Sequence, residues 1–112
     1  MKEGSRLIEG KYRGISTVTN FDGIDINVEE VILILEIEKI YNTPNTYFLF
    51  YRLSTGVEFK TLGNIIDGKL VNIVSSSVYN YFNLIDDKLV HNFFGIQNNK
   101  QISGTGILER YC

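Results

Sequence analysis

The chain has 112 residues, 44% of them hydrophobic, a length and balance that give one domain, 1–112, able to bury its own core without staples. Its formal charge is −2 and its 11 Lys and Arg are scattered singly, so no basic stripe faces a phosphate backbone and nucleic acid is not an expected partner. The longest apolar run, Val31 to Leu35, is far below the roughly 20 residues of a membrane helix, which sets aside a membrane partner.

The start, "MKEGSRLIEG", lacks the apolar stretch of a secretory leader, so a cytoplasmic location is expected. The one cysteine, Cys112, can form no disulfide within the chain and has no helix or basic cluster to activate its thiol. Alanine is missing, whereas Ile occurs 15 times and Asn 11 times. That bias marks an AT-rich genome, such as a protist parasite or a large DNA virus and its satellites. For a virus-encoded chain the host cytoplasm or the virion is the expected place. Physically, a chain rich in Ile, Val, Phe and Tyr and free of Ala favours strands over helices.

Short apolar–polar alternations recur between turn signals in chain order. "GKYRGISTVT" (10–19) is the first, closed by the turn-like "NFDG" (20–23). "VILILEIEKIY" (31–41) follows, then "NTPN" (42–45) with the only proline. Asn27 and Glu30 stand at capping-box spacing before this run, which leaves a helix over 27–39 as the alternative. The period-two alternation of Leu35 and Ile37 with Glu36 and Glu38 favours a strand. "TYFLFYRL" (46–53) leads through "STG" to "VEFKTLGNII" (57–66). Asp67-Gly68 is the strongest hairpin signal, because both centres of a type I′ turn need positive φ. "KLVNIVS" (69–75), "SVYNYFNLI" (77–85), "KLVHNFFGI" (88–96) and "QISGTGILERY" (101–111) complete eight strands, with the break at "SSS" (75–77) the weakest boundary.

The phrase "NIIDGKLV" (64–71) returns as "NLIDDKLV" (83–90). Each copy reads as a strand end, a tight acidic turn and a return strand. Counting outward from those turns pairs Ile66 with Lys69, Ile65 with Leu70, Gly63 with Asn72, Leu84 with Leu89 and Phe82 with His91. One face then carries Val57, Phe59, Ile65, Leu70, Val74, Phe82, Leu84, Leu89 and Phe93 as the core. Eight antiparallel strands in a meander, apolar on one face, are expected to close into an up-and-down β-barrel, the all-β architecture that removes exposed edges. Such a barrel holds its own side chains or one small ligand.

"EGKYRG" (9–14) in the first strand and "GTGILER" (104–110) in the last resemble the frame of the calycin group: lipocalins, fatty-acid-binding proteins and avidin-like barrels. In that frame Gly-X-Trp opens the first strand and an Arg of the last packs over the ring. The resemblance matches Gly10 to the Gly, sets Tyr12 where the Trp stands, and matches Arg110 to the Arg. It departs in lacking any Trp and any disulfide pair. It implies a structural role for Gly10, Tyr12 and Arg110 and a barrel suited to a small apolar or amphipathic ligand.

Inside, Asn72, Asn80 and His91 form a polar trio among Phe59, Phe82 and Phe93. Either these groups fix a ligand's orientation or they satisfy one another and a buried water. No catalytic residue stands out, because His91 has no Ser or Asp in a nucleophile context, so no enzyme is expected. One His and one Cys fall short of a zinc site, and "DGIDINVEE" (22–30) misses calcium-loop spacing, so neither metal nor cofactor is expected. Glu36, Glu38 and Glu58 point outward, toward Arg52, Lys39 and Lys60 as charge partners. The outer wall also carries Ile73, Tyr79, Tyr81, Val90 and Phe94, and "TYFLFYRL" is apolar on both faces. Exposed aromatics of this kind suit a subunit interface. A homo-oligomer acting by self-association or protein–protein interaction is therefore the first expectation, and a calycin-like module holding an apolar ligand in its interior the second.

Overall fold

The structure, a computed structural model, describes residues 8–74 and 77–111. Residues 1–7, the weak boundary within 75–77 and Cys112 thus fall wholly or partly outside the described residues. Eight antiparallel strands follow one another: β1 (Gly10–Phe21), β2 (Ile26–Lys39), β3 (Thr46–Leu53), β4 (Glu58–Ile66), β5 (Lys69–Val74), β6 (Val78–Ile85), β7 (Lys88–Gln97) and β8 (Lys100–Tyr111). Each pairs with its sequence neighbour, and β8 returns to β1, closing an all-β up-and-down barrel.

Residues 27–39 are strand, not helix: β2 pairs with all of β1, from Gly10↔Ile37 to Phe21↔Ile26, and its last two residues pair with β3. Tertiary pairing of a β-branched segment decides against the capping-box spacing. Asp22 makes the intervening turn, its Oδ1 accepting from the N–H of Ile24 at 2.9 Å and of Asp25 at 2.8 Å. These two bonds hold its carboxyl below the usual carboxylate range. Three other turns place both central residues in the left-handed region: Asp67-Gly68, Asp86-Asp87 and Asn98-Asn99. Only the first uses glycine, so Asp and Asn carry the rest, as the side chains that tolerate this conformation best.

The ladder follows Ile65↔Leu70, Ile66↔Lys69, Leu84↔Leu89 and Phe82↔His91. One pairing differs from the count along the sequence. β4 and β5 stay together for only three pairs, Asn64↔Val71 to Ile66↔Lys69, so Gly63 does not pair with Asn72. Gly63 pairs with Tyr47 on β3 and Asn72 with Asn80 on β6. The Cβ position of Gly63 lies 2.5 Å from Leu49 Cδ1 and 3.0 Å from Leu70 Cδ1, so core side chains already fill the space over this backbone.

The barrel is packed at one end. Tyr12, Leu35, Tyr47, Leu49, Leu70, Phe82, Leu89 and Leu108 are fully buried there. Both copies of the repeated phrase lie at this closed end, and each supplies an inward apolar pair, Ile65 with Leu70 and Leu84 with Leu89. The phrase recurs because two neighbouring hairpins plug the same opening.

Candidate functional site

At the other end the inward-facing residues do not meet. They leave a cavity of about 280 Å³ open to solvent. Its lower wall is Ser16, Tyr51, Phe59, Asn80, His91 and Phe93, its upper wall is aliphatic (Val18, Val31, Leu33, Val74, Val78, Ile102), and its rim is Asn20, Glu29, Thr55 and Gln97. Two glycines of β8 seat the side chains of the cavity floor. Gly104 and Gly106 occupy inward positions of β8, and a Cβ on Gly104 would sit 2.2 Å from the Phe93 ring, one on Gly106 2.6 Å from Ser16 Oγ.

Of the six interior residues read from the sequence, Phe59, Asn80, His91 and Phe93 line the cavity. Phe82 and Asn72 stand behind it. Phe82 stacks on the His91 ring at 4.3 Å, and Phe93 approaches the same ring at 5.0 Å. Asn72 Oδ1 accepts from the Tyr51 hydroxyl at 2.7 Å, and Tyr51 stacks on Phe59 at 4.5 Å. His91 Nε2 lies 2.7 Å from Asn80 Oδ1. A carboxamide oxygen only accepts, so Nε2 carries the proton and Nδ1 is left as an acceptor. Burial holds the His91 pKa down to about 3, so the ring is neutral at physiological pH. Burial likewise raises the Tyr51 phenol well above its ordinary value, against the opposing pull of the Asn72 bond.

The polar trio therefore satisfies itself only in part. Ser16 Oγ, Asn72 Nδ2 and His91 Nδ1 are buried with no hydrogen-bond partner among the described residues. Ser16 was not among the sequence candidates. Its signal was available, since Ser16 lies four residues from Tyr12 on the same inward parity of β1.

At the closed end the three matched positions meet. The Arg110 guanidinium lies 4.9 Å from the centre of the Tyr12 ring and hydrogen-bonds the Glu9 carbonyl, while the Tyr12 hydroxyl donates to the Ile8 carbonyl at 2.9 Å. Burial raises the Tyr12 pKa, and the Arg110 charge opposes that shift.

On the outer wall, Ile73 pairs with Tyr79, Tyr79 stacks on Phe94 at 5.8 Å, and Tyr81 stacks on Phe94 at 6.0 Å. Val90 stands apart from this ladder and pairs with Ile107, next to Ile15 and Ile32 on the following strands. Phe48 and Phe50 of "TYFLFYRL" face outward under Lys60, whose Nζ is 4.0 and 4.8 Å from the ring centres; Tyr47, Leu49 and Tyr51 face in. Arg52 and Glu58 pair across β3 and β4 at 3.2 Å.

No protein-family model and no curated protein matches the sequence. Solved structures do match the fold. An S-type phycobiliprotein lyase from Guillardia theta superposes with a TM-score of 0.69 at 8% identity, over 96% of this chain and 90% of that one. Zebrafish ileal bile acid-binding protein, complexed with cholic acid, superposes with a TM-score of 0.50 at 12% identity, over 94% of this chain and 99% of that one. The calycin-like resemblance carried by Gly10, Tyr12 and Arg110 thus holds at the level of the fold: this chain is an eight-stranded barrel of that architecture.

Proposed function

We propose that the protein is a non-enzymatic binding module that takes a small apolar or amphipathic molecule into the open half of its barrel. The observation that carries this reading is the cavity itself. An interior with no function beyond stability is expected to pack shut, as the other half does, because empty apolar space forfeits contacts. Here the open half is walled by Tyr51, Phe59 and Phe93 with a few buried polar groups, the usual make-up of a small-molecule site. Its 280 Å³ lies near the lower edge of such sites, which run from about 300 to 1,000 Å³. That one protein of the same fold is complexed with cholic acid adds support at the level of architecture.

The test is titration with a neutral polarity-sensitive naphthalene dye, read as a blue-shifted emission, together with native mass spectrometry of the purified protein for a carried-over small molecule. Saturable dye binding of one equivalent is expected. An unchanged emission spectrum and a mass equal to the bare chain would dismiss the reading.

Self-association is the second reading, and the observation behind it is the aromatic ladder of Tyr79, Tyr81 and Phe94, with Phe94 52% exposed. Light scattering after size exclusion tests it. A multimer that Phe94→Glu converts to monomer supports it, and a wild-type monomer at high concentration removes it.

A further inference from the structure

We propose that the cavity selects a ligand with an uncharged hydrogen-bonding head, taken in head-first to the layer of Ser16 and His91, and that it disfavours carboxylates. This deepens the binding reading above and rests on it.

Three observations converge. First, two residues of the cavity floor, Ser16 and His91, hold unspent hydrogen-bonding capacity of defined sense just beneath its surface. His91 Nδ1 is a bare acceptor because its partner nitrogen donates to Asn80, and Ser16 Oγ can donate or accept. The two residues are cross-strand neighbours of the same Gly106, so they stand in one layer, and no side chain on β8 fills the space between them. Buried donors and acceptors are seldom left without partners, and a ligand that supplies them gains more than one that leaves them bare.

Second, among the described residues no cation lines the cavity. The one charged side chain on the cavity wall is Glu29, exposed at the rim. A carboxylate pushed to the floor would lose its water shell without a counter-charge, and His91 cannot become one because its ring is buried between Phe82 and Phe93. Glu29 repels an anion at the mouth as well. Moreover, a carboxylate has no proton to give His91 Nδ1, whereas a hydroxyl or primary amide has one.

Third, size limits the rest of the molecule. A cavity of about 150 Å³ holds a benzene ring, so 280 Å³ takes about two fused rings, flanked here by the Tyr51, Phe59 and Phe93 side chains.

The experiment compares naphthalene, 2-naphthol, 2-naphthamide and 2-naphthoate by calorimetric titration or dye displacement at pH 7.5. Naphthol and naphthamide are expected to bind at least about tenfold more tightly than naphthalene, and naphthoate no more tightly than naphthalene. In His91→Phe, and separately in Ser16→Ala, that preference should shrink while naphthalene binding persists. Naphthoate binding as tightly as naphthol would overturn the head-group inference and leave the cavity reading standing. Equal preference in wild type and both variants would overturn it too. If neither the dye nor any of the four compounds binds, the cavity holds water only, and the binding reading fails with everything built on it.

Discussion

Charging His91 would set an imidazolium between two phenyl rings, with no carboxylate beside it among the described residues. Its pKa is therefore held down to about 3, against about 6.5 in an unfolded chain. The sign follows from proton counting. Between those two values the unfolded state binds a proton that the native state refuses, so stability is complete at neutral pH and falls as pH drops through the window. The slope is about 1.4 kcal/mol per pH unit for one group, and it flattens below about pH 3, where both states are charged. Urea unfolding of wild type and His91→Phe at half-unit steps from pH 7 to 3 isolates this contribution, because the carboxylates titrate in both proteins. The wild-type curve should fall more steeply by that slope; parallel curves would mean that the ring takes its proton without unfolding. Gly10 invites a second substitution. Its φ is +141° and a Cβ there would stand 2.6 Å from Arg110 Nη1, so the residue lets the guanidinium settle over Tyr12. Gly10→Ala should cost about 1–3 kcal/mol in chemical denaturation, from backbone strain and a displaced cation–π contact.

The hairpins were the most legible elements. Asp67-Gly68 announces a turn by chemistry alone, and the spacing of apolar residues on either side then fixes which side chains face in. Gly68 has φ +77° and no atom within 4 Å of the place its Cβ would occupy, so Gly68→Ala probes the backbone alone. A loss of about 1 kcal/mol in the urea midpoint is expected, with the m-value unchanged. A neutral result would show that this turn tolerates an L side chain at no cost; Asp87 already holds φ 70° at the matching place in the second copy of the phrase. Two things were less legible. The parting of β4 and β5 after three pairs has no turn residue to mark it, and the packing of Leu49 and Leu70 from the two flanking strands over Gly63 is a three-dimensional contact that strand patterning does not spell out. The cavity was hidden for a related reason. Ser16, Gly104 and Gly106 are small residues on two strands far apart in sequence, and only closure of β8 onto β1 brings them together beside His91 and Phe93.

Seen as a whole molecule, the barrel divides its labour along its axis. The closed end holds the repeated acidic turns, the Leu-rich plug and the Arg110–Tyr12 contact, and it supplies stability. The open end forgoes packing for volume. If that volume exists for a ligand, filling it should separate the two properties. Val18 faces the cavity from β1 and is paired with Gly104, whose empty inward side is already covered by the Phe93 ring. In Val18→Phe the added ring enters the open space beside Phe93 without displacing a core residue. Cavity-filling changes of this kind contribute about 0.5–2 kcal/mol when the rotamer is unstrained. The expected outcome is a thermal midpoint equal to or above that of wild type, together with loss of naphthol binding. A stable variant that still binds naphthol with wild-type affinity would place the ligand elsewhere on the barrel. The outer wall between Ile73 and Phe94 is untouched by Val18→Phe, so any multimer formed through the aromatic ladder should survive it and dissociate only with Phe94→Glu. Run side by side, the two variants assign the interior and the exterior of the barrel to separate roles, or show that one of them has none.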